Sequence, residues 1–291
     1  MSADLYPENS FLRHRMTSSE TYTNVFGSAR SAVQRTHPAM YKKDGNWINV
    51  FQYAPVVHND GRHMSLDDAL RDIRSGKIVL VYDFDDRERE TDMTVASQFI
   101  TPDLLKIMRK DAGGLICTTT PYSIANELGL PFMSDVFWDA SVKYPLLKAM
   151  APTDIPYDNT KSSFGLTINH RKTYTGITDN DRALTISEYV KIIFADSPVN
   201  DRIEDIGKNF RAPGHVHLLT ASENILKNRK GHTELTTALM IMAGVQPSAT
   251  ICEMLGNDGN AMSKEEVKGY ATKNGYTFVE GKDISDAWER R

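Results

Sequence analysis

The sequence predicts an α+β protein in which a mixed β-sheet is packed with helices. Residues 77–82 form an almost continuous run of aliphatic and β-branched side chains, which is typical of a strand covered on both faces. Several segments of helical periodicity begin at recognisable N-cap residues. The predicted helices and strands follow one another without strict alternation, which favours a mixed sheet over a doubly wound parallel one.

The elements of the first half are defined by the signals at their ends. Ser65 and Asp68 form a capping-box pattern, and Gly76 ends the helix that they start. Thr101 as N-cap and Pro102 at the first helical position start a second helix. The predicted elements are a helix over 66–75, a strand over 77–82, a helix over 101–112 that stops at Gly113 and Gly114, a strand over 114–119, and a short helix over 122–128.

The second half is assigned from periodicity and caps in the same way. Residues 162–170 alternate between apolar and polar side chains, as in a half-buried strand. The remaining predicted elements are a capped amphipathic helix over 185–195, an apolar helix with a polar start over 231–244, a strand over 248–255, and a capped helix over 263–275 that ends at Gly275.

The chain divides into two parts by composition. Residues 1–64 are polar, lack a sustained period and are predicted to be an N-terminal extension of unknown role, whereas residues 65–291 are predicted to be the main domain. Residues 47–57 are the exception within the extension, because they are apolar enough to form a strand or to pack on the main domain. With 291 residues, of which 40% are hydrophobic, the chain is long enough to bury a substantial core.

Composition also excludes several classes of partner. The net charge of −4 provides no basic field for nucleic acid or anionic lipid. The two cysteines, Cys117 and Cys252, are far apart in sequence, which fits a reducing, cytoplasmic protein. The N-terminus lacks the apolar core of a signal peptide, and the apolar runs are too short to span a membrane. We therefore predict a cytoplasmic protein that binds neither nucleic acid nor membranes.

An acidic segment follows the first predicted strand directly. Residues 83–93 contain six carboxylates and two arginines. If this segment continued the strand, one sheet face would bury several unpaired like charges, which would cost several kcal/mol. The sequence therefore predicts a loop whose carboxylates could coordinate a hard cation such as Mg²⁺, while an arginine binds an anion. A solvated, charged turn is the alternative.

A basic run precedes the apolar helix of the second half. It consists of Arg229, Lys230, Gly231, His232 and Thr233. This arrangement suits a phosphate group, because the free N–H groups of a helix N-terminus, a guanidinium and a hydroxyl can all donate hydrogen bonds to it. A basic linker that ends in an N-cap is the alternative.

Three further signals are weak when taken singly. His215 follows Pro-Gly and enters an apolar run, so a structural histidine is its alternative reading. Glu253 lies in an otherwise apolar strand, where an ionised carboxylate is costly unless it is paired, so a structural ion pair is its alternative. A polar turn contains Thr175, Thr178, Asp181 and Arg182. Taken together, the segments provide a metal site, a phosphate site and two acid–base candidates, which suit enolisation of a sugar phosphate.

Seven stretches of the chain resemble the sequence blocks of the 3,4-dihydroxy-2-butanone 4-phosphate synthase family, in its archaeal, monofunctional form. The resemblance extends from about Ser65 to about Asp286. It implies the fold of that family and makes residues 65–291 the catalytic domain. The stretches are DRERETDM, ASQFITP, RKDAGGLICT, TGITDNDR, FRAPGHV, RKGHTE and ICEMLGNDGNAMS.

The resemblance implies a lyase that converts D-ribulose 5-phosphate to L-3,4-dihydroxybutan-2-one 4-phosphate and formate, for riboflavin biosynthesis. The reaction would pass through a Mg²⁺-stabilised enediolate and a skeletal rearrangement, with Mg²⁺ or Mn²⁺ and without an organic cofactor. The resemblance also implies a homodimer with active sites near the subunit interface. Its implied catalytic residues are His215 and Glu253, its metal ligands are Glu88 and His232, and its substrate-binding residues are Arg87, Glu88, Asp92, Thr175, Arg229, Lys230, Gly231, His232, Thr233 and Glu253.

Two positions depart from the pattern of many family members. Thr91 and Lys230 both stand where glycine is common in the family. Two alternative functions use the same features. One is another metal-dependent sugar-phosphate isomerase or aldolase, which would release no formate. The other is a nucleotide-binding or tRNA-modifying role by analogy of fold, which the acidic balance of the chain argues against.

Overall fold

The computed structural model describes residues 65–150, 154–158 and 160–291, together with the backbone of two short strands near the N-terminus. These strands, β1 (Met40–Lys43) and β2 (Asn46–Asn49), pair antiparallel and belong to a unit of their own. Residues 47–57, which were expected to form a strand or to pack on the main domain, coincide with β2 only over 47–49, and the remainder lies outside the described residues. The predicted role and boundary of the 1–64 extension also lie outside them.

The main domain contains a mixed sheet, as the sequence predicted, and the described residues form seven strands of it. The strand order across the sheet is β6-β7-β5-β8-β4-β3-β9, in which β5 is parallel to β7 and β3 is parallel to β9, while the other neighbours are antiparallel. The strands are β3 (Val79–Tyr82), β4 (Thr91–Ala96), β5 (Cys117–Thr120), β6 (Phe164–His170), β7 (Phe210–Thr220), β8 (Ala249–Glu253) and β9 (Thr277–Glu280).

Ten helices occur in the described part of the main domain. They are α1 (Leu66–Arg74), α2 (Pro102–Ile107), α3 (Tyr122–Leu128), α4 (Met133–Ala140), α5 (Pro145–Met150), α6 (Asp179–Ile193), α7 (Val199–Asn209), α8 (His232–Ala243), α9 (Lys264–Asn274) and α10 (Gly281–Glu289). Helix α2 continues into one π-helical turn at Met108–Ala112, and single 3₁₀ turns occur at Ser97–Phe99 and Ile225–Lys227. Within the described residues, no helix has the length and apolarity needed to cross a membrane.

Helices cover both faces of the sheet. On one face, Leu80 and Met93 pack with side chains of α2, α6 and α9. On the other face, Val79 and Val81 pack with side chains of α1, α8 and α10; we call this the α8 face. Because successive strand residues point to opposite faces, a strand covered on both sides needs apolar residues at every position. This explains the uninterrupted apolar run that begins near residue 77.

The predicted caps are confirmed where their side-chain signals were clear. Ser65 forms the expected capping box with Asp68, and Thr101 accepts the expected hydrogen bond from the backbone of Leu104. The helix predicted over 185–195 begins earlier than expected, because Thr178 caps it and accepts from the Asp181 N–H. Asp181 and Arg182 therefore belong to the first turns of α6, and their assignment to a polar turn was wrong.

Seven elements of the main domain were not predicted: β4, β7, β9, α4, α5, α7 and α10. Strand β4 was missed because it begins with two polar residues, Thr91 and Asp92, directly after a charged loop. Both side chains are nevertheless buried. Only the neighbouring strands β3 and β8 give these polar residues a sheet environment.

Candidate active site

The candidate site lies at one end of the α8 face. There the end of β3, the start of β4 and the end of β8 meet beside the N-terminus of α8. Asp92 on β4 pairs directly with Glu253 on β8, so both carboxylates lie on the same face. The acidic loop predicted from the sequence is the connection between β3 and β4. The sheet therefore brings the acidic loop, Glu253 and the basic run at α8 to one place.

Asp83 organises the acidic loop from within. Its side chain is buried immediately after β3, and its two carboxylate oxygens accept from the backbone N–H groups of Glu88 at 2.9 Å and Glu90 at 3.1 Å. Arg87 also donates to Asp83, at 3.3 Å. These bonds satisfy the carboxylate while they fold the loop back on itself. Asp83 was not among the predicted site residues, although its position as the first polar residue after a buried strand was an available signal.

A cluster of oxygen and nitrogen donors lies where the loop meets α8. Asp83, Glu88 and His232 each offer one atom, and these atoms all lie within 4.8 Å of one another. The His232 Nδ1 atom is 3.0 Å from Glu88 Oε2, and its Nε2 atom is 3.9 Å from Asp92 Oδ1. This Asp92 oxygen is buried and has no hydrogen-bond partner in the described part of the chain. Two carboxylates, an imidazole and an orphaned carboxylate oxygen form a donor set that fits a divalent cation.

The electrostatics of the cluster favour a proton on His232 and on Asp92, and an ionised Glu88. Burial alone would lower the pKa of His232, but the carboxylates of Asp92 and Glu88 outweigh it and raise that pKa to about 10. Burial raises the pKa of Asp92 well above its ordinary value, and the Glu253 carboxylate adds to the effect. For Glu88, burial is outweighed by the hydrogen bond and charge of His232, and its pKa falls to about 2. A cation could replace the positive charge that the proton on His232 supplies.

The affinity of this cluster for Mg²⁺ is expected to rise with pH, because a metal ligand must be deprotonated. A group whose pKa is raised keeps its proton up to that pKa, so His232 opposes binding from neutral pH up to about 10. Affinity should increase by up to about tenfold per pH unit for each proton displaced. Calorimetric titration with Mg²⁺ in buffers of different ionisation enthalpy measures the proton release. Affinity that is independent of pH would contradict a role for His232 as ligand.

The basic run at α8 is less open than the sequence predicted. Arg229 was expected to bind a phosphate through two guanidinium donors. In the structure its Nε atom donates to Asp158 at 2.8 Å and its Nη1 atom donates to Glu234 at 2.7 Å, and only 9% of its side chain is exposed. Lys230 is exposed, and Gly231 is the N-cap of α8. Carboxylates already bind two of the Arg229 donor atoms. The N–H groups at the start of α8, which lack intrahelical partners, are the other anion donors of this run.

Asp158 joins the two basic elements of the site. Its Oδ2 atom accepts from Arg87 at 3.1 Å and from Arg229 at 2.8 Å, and its other oxygen accepts from Thr160. These hydrogen bonds and the charges of the arginines outweigh burial and lower the pKa of Asp158 to about 2. Tyr157 lies beside it, with the Arg87 guanidinium 5.1 Å from the centre of its ring. Asp158 was not predicted from the sequence, because nothing local marks a contact between residues 71 positions apart.

Replacing Asp158 with alanine is expected to lower the free energy of unfolding by about 1–3 kcal/mol, because two buried guanidinium groups each lose one of their acceptors. Only 8% of its side chain is exposed, and its loss leaves two buried guanidinium groups without a shared partner. Asp135→Ala is the matched control, since it removes an exposed partner of Lys161 and should change stability by less than about 1 kcal/mol. Urea unfolding of both variants makes the comparison, and equal midpoints would contradict the bridging role of Asp158.

Glu253 is less isolated than its sequence neighbours implied. It was expected within an otherwise apolar strand, and it lies half-buried at the end of β8. Its Oε2 atom accepts from the backbone N–H of Leu115 at 2.7 Å. Asp92 lies directly across from it. A Cβ atom at Gly114 would overlap Glu253, which explains a glycine at that position. Glu253 is therefore held in place at the end of β8, and within the described part of the chain it has no ion-pair partner.

His215 and Thr175 form a second group on the far side of β5. β5 pairs in parallel with β7, and Cys117 lies opposite His217. Two residues earlier on each chain segment, Leu115 and His215 therefore lie at the same height along the strands. His215 thus lies two strands from Glu253, which corresponds to roughly 10 Å between their backbones. Thr175 is exposed in the loop that follows β6, and its carbonyl accepts from Asn169 at 3.2 Å. Within the described residues, Thr175 makes no hydrogen bond to the donor cluster of Asp83, Glu88 and His232.

Relatives of known identity cover most of the main domain. The family model described as 3,4-dihydroxy-2-butanone 4-phosphate synthase matches residues 67–287. The 3,4-dihydroxy-2-butanone 4-phosphate synthase of Methanothermobacter thermautotrophicus is 47% identical to this chain over 224 residues, which are 77% of this chain and 95% of that protein.

Solved structures of proteins with the same name share the fold. The crystal structure from Candida albicans superposes with a TM-score of 0.58 at 26% identity, and the alignment covers 77% of this chain and 96% of that one. A second structure, in complex with two magnesium ions, has a TM-score of 0.60 at 24% identity and covers 78% of this chain and 97% of that one.

Proposed function

Because this chain belongs to the 3,4-dihydroxy-2-butanone 4-phosphate synthase family, we propose that it is the lyase that converts D-ribulose 5-phosphate to L-3,4-dihydroxybutan-2-one 4-phosphate and formate in riboflavin biosynthesis. One observation carries the site assignment. The donor cluster of Asp83, Glu88 and His232 shares one sheet face with the acid–base candidate Glu253. Enolisation of a hydroxyketone needs a metal site next to an acid–base group.

Mg²⁺, with Mn²⁺ as a substitute, is proposed as the metal of the site. Glu88 and His232 would hold it, and Asp83 lies close enough to contribute an oxygen. Because the protein supplies only a few ligands, coordination positions remain for water and sugar hydroxyls, as Mg²⁺ prefers. When bound, the cation polarises the substrate carbonyl and its neighbouring hydroxyls. The proposal includes no organic cofactor.

The proton transfers are assigned to side chains of this chain. Glu253 would remove or return protons at the substrate carbons, since its carboxylate is fixed by the Leu115 N–H and still reaches the open end of the sheet. His215 would serve as a second acid–base group from β7. Removal of a C1 proton, loss of the C3 hydroxyl and release of C4 as formate together require more than one such group.

The remaining site residues are proposed to orient the substrate. Asp92 on β4 and Arg87 in the acidic loop would contact the substrate hydroxyls. The phosphate group would bind at the start of α8, where the backbone N–H groups of the first turn and the basic run of residues 229–233 surround it. Thr175 would contact the substrate from the loop after β6.

The protein is further proposed to act as a cytoplasmic homodimer, on the strength of its resemblance to the family. A closed two-fold dimer would use the same surface patch on both subunits. Sedimentation equilibrium of the active enzyme should give twice the chain mass of 32.7 kDa. A fully active monomer would contradict this part of the proposal.

Formate release tests the proposed reaction directly. Purified protein is incubated with ribulose 5-phosphate and Mg²⁺, and formate and the four-carbon phosphate are followed by NMR. Equal amounts of both products are expected, and none after exhaustive chelation. Consumption of substrate without formate would identify an isomerase or aldolase instead. Ribose 5-phosphate, which lacks the C2 ketone, is the matched control substrate and should remain unchanged.

A further inference from the structure

A buried asparagine controls the orientation of His215. Asn169, at the end region of β6, is 3% exposed and lies against the exposed His215 ring. The Nδ2 atom of Asn169 is 3.0 Å from His215 Nδ1, and its Oδ1 atom accepts from the His215 backbone N–H at 2.8 Å. A single amide therefore contacts both the ring and the backbone of the histidine.

Two backbone groups determine which way the Asn169 amide points. Its Oδ1 atom faces the N–H of His215, and its Nδ2 atom faces the carbonyl of Thr175 at 3.2 Å. Rotating the amide by half a turn would place its NH₂ group against the His215 N–H and its oxygen against the Thr175 carbonyl. Both contacts would then be repulsive and buried, which costs on the order of 1–3 kcal/mol for each unsatisfied group. The orientation is therefore defined without reference to the imidazole.

The defined amide in turn selects the tautomer of His215. An asparagine NH₂ group has two hydrogens; one goes to the Thr175 carbonyl and the other points to His215 Nδ1. That ring nitrogen must accept, so it carries no hydrogen in the neutral imidazole, and the hydrogen lies on Nε2. The contact between Nδ1 and Asn169 Oδ1 is longer, at 3.4 Å, and that oxygen already accepts from a backbone N–H.

We infer that Asn169 is a positioning residue that holds neutral His215 with its proton on Nε2, so that this histidine presents a hydrogen-bond donor to the substrate. This inference rests on the proposed function for the identity of the substrate. In the described part of the chain, Nε2 has no hydrogen-bond partner, and it lies on the side of the ring away from Asn169. His215 then donates a proton or hydrogen bond to a substrate oxygen, and the initial removal of a carbon-bound proton is left to Glu253.

The surrounding turn is built around the same amide. Gly176 has φ of +94°, and a Cβ atom there would collide with the Asn169 side chain. A glycine is required for both reasons. The amide thus links the loop that carries Thr175 to the strand that carries His215, so one residue positions two of the predicted site residues.

The tautomer can be measured on the full-length, metal-free protein without substrate. Long-range ¹H–¹⁵N correlation spectra in alkaline buffer, assigned with His215→Gln, distinguish a protonated ring nitrogen from an unprotonated one. The expected result for the wild type is an unprotonated Nδ1 and a protonated Nε2 on His215. A protonated Nδ1 would overturn the inference. This outcome is independent of whether the wild type releases formate, which tests the proposed function separately.

Asn169→Asp provides the second arm of the test. A carboxylate cannot donate, so it should move the hydrogen of His215 to Nδ1 and leave Nε2 as an acceptor. We expect kcat for formate release to fall on the order of 10²-fold or more, with a smaller change in KM, as for an acid–base group held in the wrong tautomer. A folded variant that changes neither the tautomer nor kcat would overturn the inference. If the variant does not fold, the wild-type spectrum still decides it.

Discussion

Replacing Glu88 with glutamine is expected to reduce formate release from ribulose 5-phosphate on the order of 10³-fold or more and to weaken Mg²⁺ binding in parallel. A divalent cation contributes several kcal/mol to reactions of this kind, and each 1.36 kcal/mol corresponds to a factor of ten. Glu88 is one of the three groups whose donor atoms lie within 4.8 Å of one another, and it is 3.0 Å from His232. Formate NMR and calorimetric titration with Mg²⁺ measure the two effects.

Asp86→Asn is the matched control for that experiment. Asp86 lies in the same acidic loop but is exposed, and the donor cluster does not include it. Its variant should keep near wild-type turnover and metal affinity. His232→Gln should behave like Glu88→Gln, and chelation of the wild type should abolish activity that Mg²⁺ or Mn²⁺ restores. If Glu88→Gln were as active as Asp86→Asn, the metal assignment would be wrong.

The second large effect is expected at Glu253. Glutamine at this position keeps the size of the side chain and an oxygen that can accept from the Leu115 N–H, but it cannot carry a proton. Formate release should therefore fall by roughly 10²–10⁴-fold, the usual contribution of a general acid–base group. The melting temperature and Mg²⁺ affinity should change little, because Glu253 is half-buried and lies outside the donor cluster.

Glu280→Gln is the control for Glu253→Gln. Glu280 also ends a strand, β9, but its carboxylate pairs with Lys264 and Lys268 and does not belong to the donor cluster. Its variant should retain full turnover. A Glu253→Gln protein that unfolds would indicate a structural role for the hydrogen bond to Leu115. One that turns over at the rate of the Glu280→Gln control would show that Glu253 is not the acid–base group.

The two effects are separable by what each variant loses. Glu88→Gln should lose metal and turnover together, whereas Glu253→Gln should lose turnover and keep the metal. Both carboxylates belong to the same end of the sheet, through the β3–β4 loop and through β8. This division of roles follows from their surroundings. Glu88 faces His232 and Arg87, while Glu253 faces a backbone N–H and the buried Asp92.

Local signals in the sequence were sufficient for much of the fold. The side chains of capping residues such as Ser65, Thr101 and Ser263 accept hydrogen bonds from backbone N–H groups within four residues. Their effect can therefore be predicted from the local sequence alone. The apolar run ending at Tyr82 predicted a strand covered on both faces, because its pattern depends only on burial. The start of α6 at Thr178 was missed because the polar first turn of a helix resembles a loop.

By itself, the sequence determined the residue types of the site and their family: the acidic loop, the basic run before α8, and the glutamate in β8. Only the tertiary structure decided which of them act together. Asp158 contacts both Arg87 and Arg229, each of which lies 71 positions away in the sequence. Asn169 contacts His215, which lies 46 positions away. The physical reason is that hydrogen bonds and ion pairs depend on separations of about 3 Å, which chain spacing does not encode. The pairing of β6 with β7 brings Asn169 beside His215, and the loops that carry Arg87, Asp158 and Arg229 meet beyond the strand ends.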